Sequence, residues 1–176
     1  MITGKQDCLR LFYALWPDGA TRAALSQLQI AMAGRLTRSD NLHLTLAFLG
    51  AQPPSSLPLL ESILMELPSV TPKLTFDRIG YFTEPQLAWA GMSAVPAALS
   101  TLEQNLAQAL ERAGIHIDRR SSFIPHVTLA RNTTALEDFP FDAVEWKASH
   151  VALMQSDVEG GEVVYRVLTS RMLDGR

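Results

Sequence analysis

The sequence predicts one compact domain of mixed strands and helices, built as two like halves. Three observations predict it. Short alternating apolar runs interleave with helical periodicity along 176 residues, a length that suits a single domain. The order strand, Pro, helix, Gly, basic loop, strand occurs twice, once around Pro17 and Gly34 and again around Pro96 and Gly114. Each copy ends on His-x-Thr-Leu-Ala, at 43–47 and at 126–130. Halves built alike tend to pack about a pseudo-twofold axis, which sets equivalent positions face to face across a cleft.

Taken in order, residues 8–16 alternate and carry aromatics, as a strand does. Cys8 falls in this apolar run and is expected to be a small core residue. Pro17 and Asp18 open a helix with Asp18 as N-cap, and Gly34 ends it. Its apolar stripe is Ala23, Ala24, Leu25, Leu28 and residues 30–32. A basic loop with Arg35 and Arg38 leads to a strand at 42–49, closed by Gly50. Residues 57–67 look helical, with the regular part after Pro58. Strands are expected at 72–79 and 86–92. Pro96 opens the most regular helix, with Leu99, Leu102, Leu106 and Leu110 at helical spacing and Gly114 as its stop. A loop with Arg119 and Arg120 precedes a strand at 126–130. Strands at 144–155 and 163–170 follow, joined by a turn at 159–161.

Hydrophobic residues make up 47% and charged residues 19%, so a full core is possible. A net charge of −3 gives no broad attraction for duplex nucleic acid or an acidic membrane, so a polyanion would need a local basic patch. One cysteine excludes an internal disulfide and fits a reducing cytosol. No signal peptide and no membrane-spanning run is expected.

The chemistry lies in the repeated tripeptides. Side chains alternate along a strand, so His43, Thr45 and Ala47 should share one face, with Leu42, Leu44, Leu46 and Phe48 on the other. The second copy sets His126, Thr128 and Ala130 against Val127 and Leu129. Each copy then offers an imidazole, a hydroxyl and a small residue that leaves room for a ligand. Histidine titrates near neutral pH, and two histidines flanking a phosphorus supply a general base and a general acid together. Threonine hydroxyls can donate to the non-bridging oxygens. Zinc sites usually need three or four protein ligands, and neither His-Glu-x-x-His nor Gly-x-Ser-x-Gly occurs, so neither a metal nor a serine nucleophile is expected. Arg35, Arg38, Arg119, Arg120 and Arg131 lie near the motifs, and guanidinium groups grip phosphate. Arg131 ends the second motif strand, but strict alternation turns it away from His126. It reaches the cleft only if the strand ends or twists there. Phe12, Tyr13, Phe48, Phe82 and Phe123 are candidates to stack a base. His116 and His150 lack a threonine two residues on and are read as surface or loop histidines.

The segments Arg10-Leu11-Phe12-Tyr13-Ala14-Leu15, Asn41-Leu42-His43-Leu44-Thr45-Leu46-Ala47-Phe48-Leu49-Gly50 and Pro125-His126-Val127-Thr128-Leu129-Ala130-Arg131 strongly resemble the bacterial RNA 2′,3′-cyclic phosphodiesterases. These are also called 2′-5′ RNA ligases and belong to the two-histidine phosphoesterase superfamily. The resemblance covers nearly the whole chain, although the first seven residues and the tail after residue 140 match no motif. It implies a bilobal α+β fold over 1–176, with two pseudo-symmetric lobes of antiparallel sheet, outer helices and an active site in the cleft. It implies His43 and His126 as the acid–base pair, Thr45 and Thr128 as phosphate ligands, and Arg131 as a substrate contact. Phe12 and Phe48 remain further substrate-binding candidates from the residues themselves. The implied reaction is metal-independent and cofactor-free hydrolysis of an RNA 2′,3′-cyclic phosphate to a 2′-phosphate, with reversible 2′-5′ ligation. The expected partner is RNA with such an end, tRNA halves included, met by a cytoplasmic monomer. The alternatives are a phosphodiesterase for small cyclic nucleotides or ADP-ribose cyclic phosphates, and an RNA-binding module without catalysis.

Overall fold

The computed structural model describes residues 7–117, 122–137 and 140–174. In chain order its strands are β1 (Leu9–Leu15), β2 (Arg35–Leu36), β3 (Leu44–Gln52), β4 (Lys73–Phe76), β5 (Arg78–Phe82), β6 (Leu87–Gly91), β7 (His126–Arg131), β8 (Val144–Lys147), β9 (His150–Glu159) and β10 (Glu162–Met172). The helices are α1 (Gly19–Leu28), α2 (Leu57–Glu66) and α3 (Ala97–Arg112).

Eight strands form one sheet in the order β10-β9-β1-β3-β7-β6-β5, with β2 paired to β7, and β4 and β8 form a separate ribbon. The pairings are antiparallel. The sheet is the α+β, two-lobed arrangement expected. One lobe is β10-β9-β1-β3, and the other is β7-β6-β5 with β2. They meet where Leu44 stands opposite Val127, so the lobes are halves of one sheet rather than two separate sheets.

The helices cover one face of this sheet. Leu99, Leu102, Leu106 and Leu110 of α3 are all buried, as their spacing predicts. They join Leu44, Leu46, Val127 and Leu129 in the main core. α1 packs on β7 and β8, while α3 packs on β3. Each copy's helix therefore lies behind the other copy's motif strand, which ties the two lobes together. Pro58 sits in the first turn of α2, where its missing N–H costs nothing.

Several boundaries differ from the sequence reading. Asp18 is the N-cap of α1, its carboxylate accepting from the Thr21 N–H at 2.7 Å. The α-helix stops at Leu28, however, and a 3-10 turn at Gln29–Ala31 leaves Ile30 exposed outside the stripe. The run expected as one strand at 72–79 divides at Asp77, whose carboxylate binds the Ser93 N–H at 2.8 Å. The stretch 144–155 divides at 148–149 between the ribbon and the main sheet. Both divisions release a strand to β4–β8. Cys8 is exposed rather than buried, because β1 begins one residue after it. Gly160 and Gly161 both have positive φ, as a tight hairpin turn requires. Among the described residues, no helix is long and apolar enough to cross a membrane.

Candidate active site

The face away from the helices carries the motifs. Leu44 and Val127 point into the core, so their neighbours on either side point the other way. Antiparallel register around that pair sets His43 across from Thr128 and Thr45 across from His126. The four side chains form a two-by-two array, with the histidines on its diagonal. Diagonal neighbours on a sheet face lie about 7–8 Å apart, wide enough to straddle a phosphate.

Both imidazoles are held in the same way. His43 Nδ1–H donates to the Asn41 carbonyl at 2.7 Å, and His126 Nδ1–H donates to the Ile124 carbonyl at 2.7 Å. Each partner lies two residues upstream. Donation from Nδ1 fixes the neutral tautomer and leaves Nε2 as the reactive atom. Thr45 Oγ1 lies 3.1 Å from His43 Nε2 and donates to it. Among the described residues, His126 and Thr128 make no matching bond.

The surroundings differ between copies. On the cleft face of the first lobe, Phe12, Ala14, Ala152 and Met154 form a small second core, with Trp16 and Tyr165 against it. His43 stacks on Trp16 at 5.6 Å between ring centroids, and meets Phe12 at 5.1 Å and the edge of Tyr165 at 5.0 Å. His126 meets Phe82 at 5.2 Å and Trp89 at 5.8 Å. Burial among these rings, helped by the positive charge of Arg131, lowers the pKa of both histidines below the ordinary 6.5. His43, ringed by three aromatics, falls to about 4.

A β-bulge in each motif strand changes the expected facing. Between Tyr13 and Ala14 the partner on β3 jumps from Ala47 to Thr45, which leaves Leu46 as an extra residue. Between Ala88 and Trp89 the partner on β7 jumps from Ala130 to Thr128, which leaves Leu129 extra. A bulge shifts the alternation by one. Leu46 and Ala47 are therefore both buried, as are Leu129 and Ala130. The two alanines do not line the cleft as expected. Phe48, expected on the core face, stands on the cleft face at 68% exposure, 6.1 Å from Phe12. Arg131 turns onto the histidine face, close enough for its charge to act on both rings. The carbonyl of Leu129 accepts from the Thr37 N–H, one step beyond the β2 pairing, and from the buried Gln29 side-chain amide, each at 2.8 Å.

The other candidates divide. Phe12 is buried beneath His43 and supports it rather than facing a ligand. Tyr13 points into the core and donates to the Leu60 carbonyl, and Phe123 packs against the core. Arg38 is paired with Asp40 and Glu162. Arg119 and Arg120 lie outside the described residues. His116 and His150 are exposed. Among the described residues, no group of three or more His, Cys, Asp or Glu side chains comes together as a metal site.

Trp16, Trp89 and Tyr165 also stand against the two histidines, although no motif marks them. Trp16 was legible, since it lies two and four residues beyond Ala14 and Phe12 on one strand face. Trp89 carries a subtler signal in Gly80 and Gly91. A Cβ at either position would fall 2.0–2.3 Å from the indole, so the ring lies flat on a bed of two glycines. Gly91→Ala should destabilise the protein by about 1–3 kcal/mol through overpacking, read as a lower thermal midpoint. An unchanged midpoint would show that the ring has room to move.

Two His-x-Thr strands paired about a pseudo-dyad, each imidazole tautomer-locked by a carbonyl two residues upstream, define a two-histidine phosphoesterase-type cleft. The chain belongs to the 2′-5′ RNA ligase superfamily, whose family model matches residues 17–160. It is 36% identical over 117 residues to an RNA 2′,3′-cyclic phosphodiesterase of Escherichia coli, a match covering 65% of this chain and 64% of that protein. The chain thus matches less than two thirds of that relative's length. A protein of the same name from Thermus thermophilus is 29% identical, over 95% of this chain and 91% of its own. The crystal structure of E. coli LigT complexed with 3′-AMP superposes with a TM-score of 0.81 at 26% identity, covering 96% of this chain and 99% of that one.

Proposed function

We propose that the protein opens RNA 2′,3′-cyclic phosphate ends to 2′-phosphates by metal-independent general acid–base catalysis, with His43 as base and His126 as acid. The observation that carries this reading is the diagonal pair of histidines, each locked with Nε2 as its reactive atom beside a threonine. The relatives named RNA 2′,3′-cyclic phosphodiesterase support the choice of substrate.

In this reading water attacks phosphorus while Nε2 of one histidine takes its proton. The P–O3′ bond breaks, and the other histidine protonates the departing 3′ oxygen. A base must be neutral and an acid protonated. His43, more deeply buried and with the pKa lowered to about 4, suits the base. His126, with fewer aromatic neighbours, suits the acid. Thr45, Thr128 and Arg131 hold the non-bridging oxygens, where charge builds in the transition state. Phe48 offers an exposed ring to the terminal base. A 5′-hydroxyl in place of water would give a 2′-5′ linkage, the reversible ligation expected from the resemblance. RNA with a cyclic-phosphate end, tRNA halves included, is then the partner, acted on by a cytoplasmic monomer.

The test is product analysis on a short RNA ending in a 2′,3′-cyclic phosphate, with and without EDTA. A 2′-phosphate formed equally in both is the expected result. A 3′-phosphate would reverse the orientation, and loss with EDTA restored by a divalent ion would favour a metal. The pH profile follows from the pKa directions. Both histidines are lowered, so at pH 7 the free protein holds both largely neutral and lacks its acid. kcat/KM should therefore rise as pH falls below 7, peak on the acid side of 6.5, and decline towards pH 4 as the base takes up a proton. A rate climbing steadily from pH 5 to pH 9 would contradict this.

A further inference from the structure

We infer that Arg35, standing beside Arg131, forms a second phosphate site that receives the phosphodiester preceding the terminal nucleotide, so that the cleft is built for a polynucleotide end rather than a mononucleotide. The inference rests on the cyclic-phosphate reading above and narrows its substrate. β2 is two residues long, and it pairs with β7. Its register sets Arg35 directly opposite Arg131. Paired residues on adjacent antiparallel strands point to the same face, with Cβ atoms about 4.5–5.5 Å apart. Since the bulge turns Arg131 onto the histidine face, Arg35 emerges there too.

Two like charges directly opposite each other destabilise a strand pair. Here nothing offsets them: among the described residues neither guanidinium has a carboxylate partner, whereas Arg38 and Arg166 both do. The fold nevertheless holds the pair tightly. Gly34, with φ of +82°, brings β2 so close that a Cβ would lie 2.6 Å from the Arg131 carbonyl oxygen. Gln29 bonds both the Thr37 and Leu129 carbonyls at 2.8 Å, clamping the loop to the bulge. An unneutralised pair of arginines in a rigid frame, in a chain of net charge −3, is suited to an anion. The register shows which anion. Arg35 stands opposite Arg131, five positions along β7 from His126, so Arg35 lies beyond the reacting phosphate. A phosphate one step further along an RNA chain meets that requirement. A nucleoside cyclic phosphate has none to offer.

The experiment compares kcat/KM on a nucleoside 2′,3′-cyclic phosphate and on a trinucleotide ending in the same cyclic nucleotide, for the unmodified protein and Arg35→Ala. The loss on the trinucleotide should be ~10-fold and several times larger than on the nucleoside. The log–log salt slope for binding a trinucleotide 3′-phosphate should become shallower by about 0.7. Arg35→Lys, which keeps the charge, should restore most of both effects. Equal losses on the two substrates, no loss on the trinucleotide, or an unchanged salt slope would overturn the inference. Turnover of neither substrate by the unmodified protein would sink the phosphodiesterase reading itself. The salt slope would still judge Arg35.

Discussion

His126→Ala is expected to lower turnover of an RNA 2′,3′-cyclic phosphate by ~10²–10⁴-fold, and His43→Ala by a similar factor. The size of the effect follows from the geometry. Each imidazole is held by a 2.7 Å bond from Nδ1 to a backbone carbonyl, so neither ring needs to turn before reaction. Alanine removes the proton relay and leaves the phosphate ligands in place. KM should therefore change much less than kcat. The two variants should also differ in pH dependence. His43→Ala should lose the acidic limb of the profile, and His126→Ala the limb nearer neutrality. Removing either histidine also relieves a cost. A buried imidazole with a lowered pKa favours the folded state less and less as pH falls from 6.5 towards 4, because the unfolded chain binds the proton more readily. His43→Ala should flatten the fall in thermal midpoint over that range. Near-normal turnover by either variant would end the two-histidine assignment.

Arg131→Ala should cost ~10²-fold in kcat, the scale of removing one preorganised donor to developing charge. This expectation depends on the bulge at Leu129, because without it the side chain would point into the core. The support behind the bulge gives a second test. Gln29→Leu removes one donor each from the Thr37 and Leu129 carbonyls, so it should lower activity in the same direction as Arg131→Ala but by less. Wild-type kcat for Arg131→Ala on the cyclic-phosphate RNA would remove Arg131 from the site.

Much of this was legible in the sequence, and the exceptions have a common cause. Element order, the N-cap at Asp18, the apolar stripe of α3 and the paired His-x-Thr faces all follow from local periodicity and turn chemistry. Strict alternation misplaced Ala47, Phe48, Ala130 and Arg131 because a bulge inserts one residue without any local mark in composition. It appears only when a strand is laid beside its partner. Trp89 and Tyr165 were hidden for a related reason. They reach the cleft through pairings of distant segments, Trp89 over Gly80 and Tyr165 across from Ser156. β2 was hidden because two residues carry no periodicity at all.

The two bulges fall at the same step of the two copies, yet the residues they turn towards the cleft are an uncharged ring in one and a cation in the other: Phe48 and Arg131, each five positions past its histidine. A strictly dyad-related cleft would accept a cyclic ester in two orientations of equal energy and would release either oxygen with equal ease. Breaking the dyad at this matched position, as the unlike rings around the two histidines also do, gives the groove a polarity. On the proposed cyclic-phosphate reading, nucleobase and phosphate chain would enter from opposite sides, and a scaffold of two like halves would acquire regiochemistry.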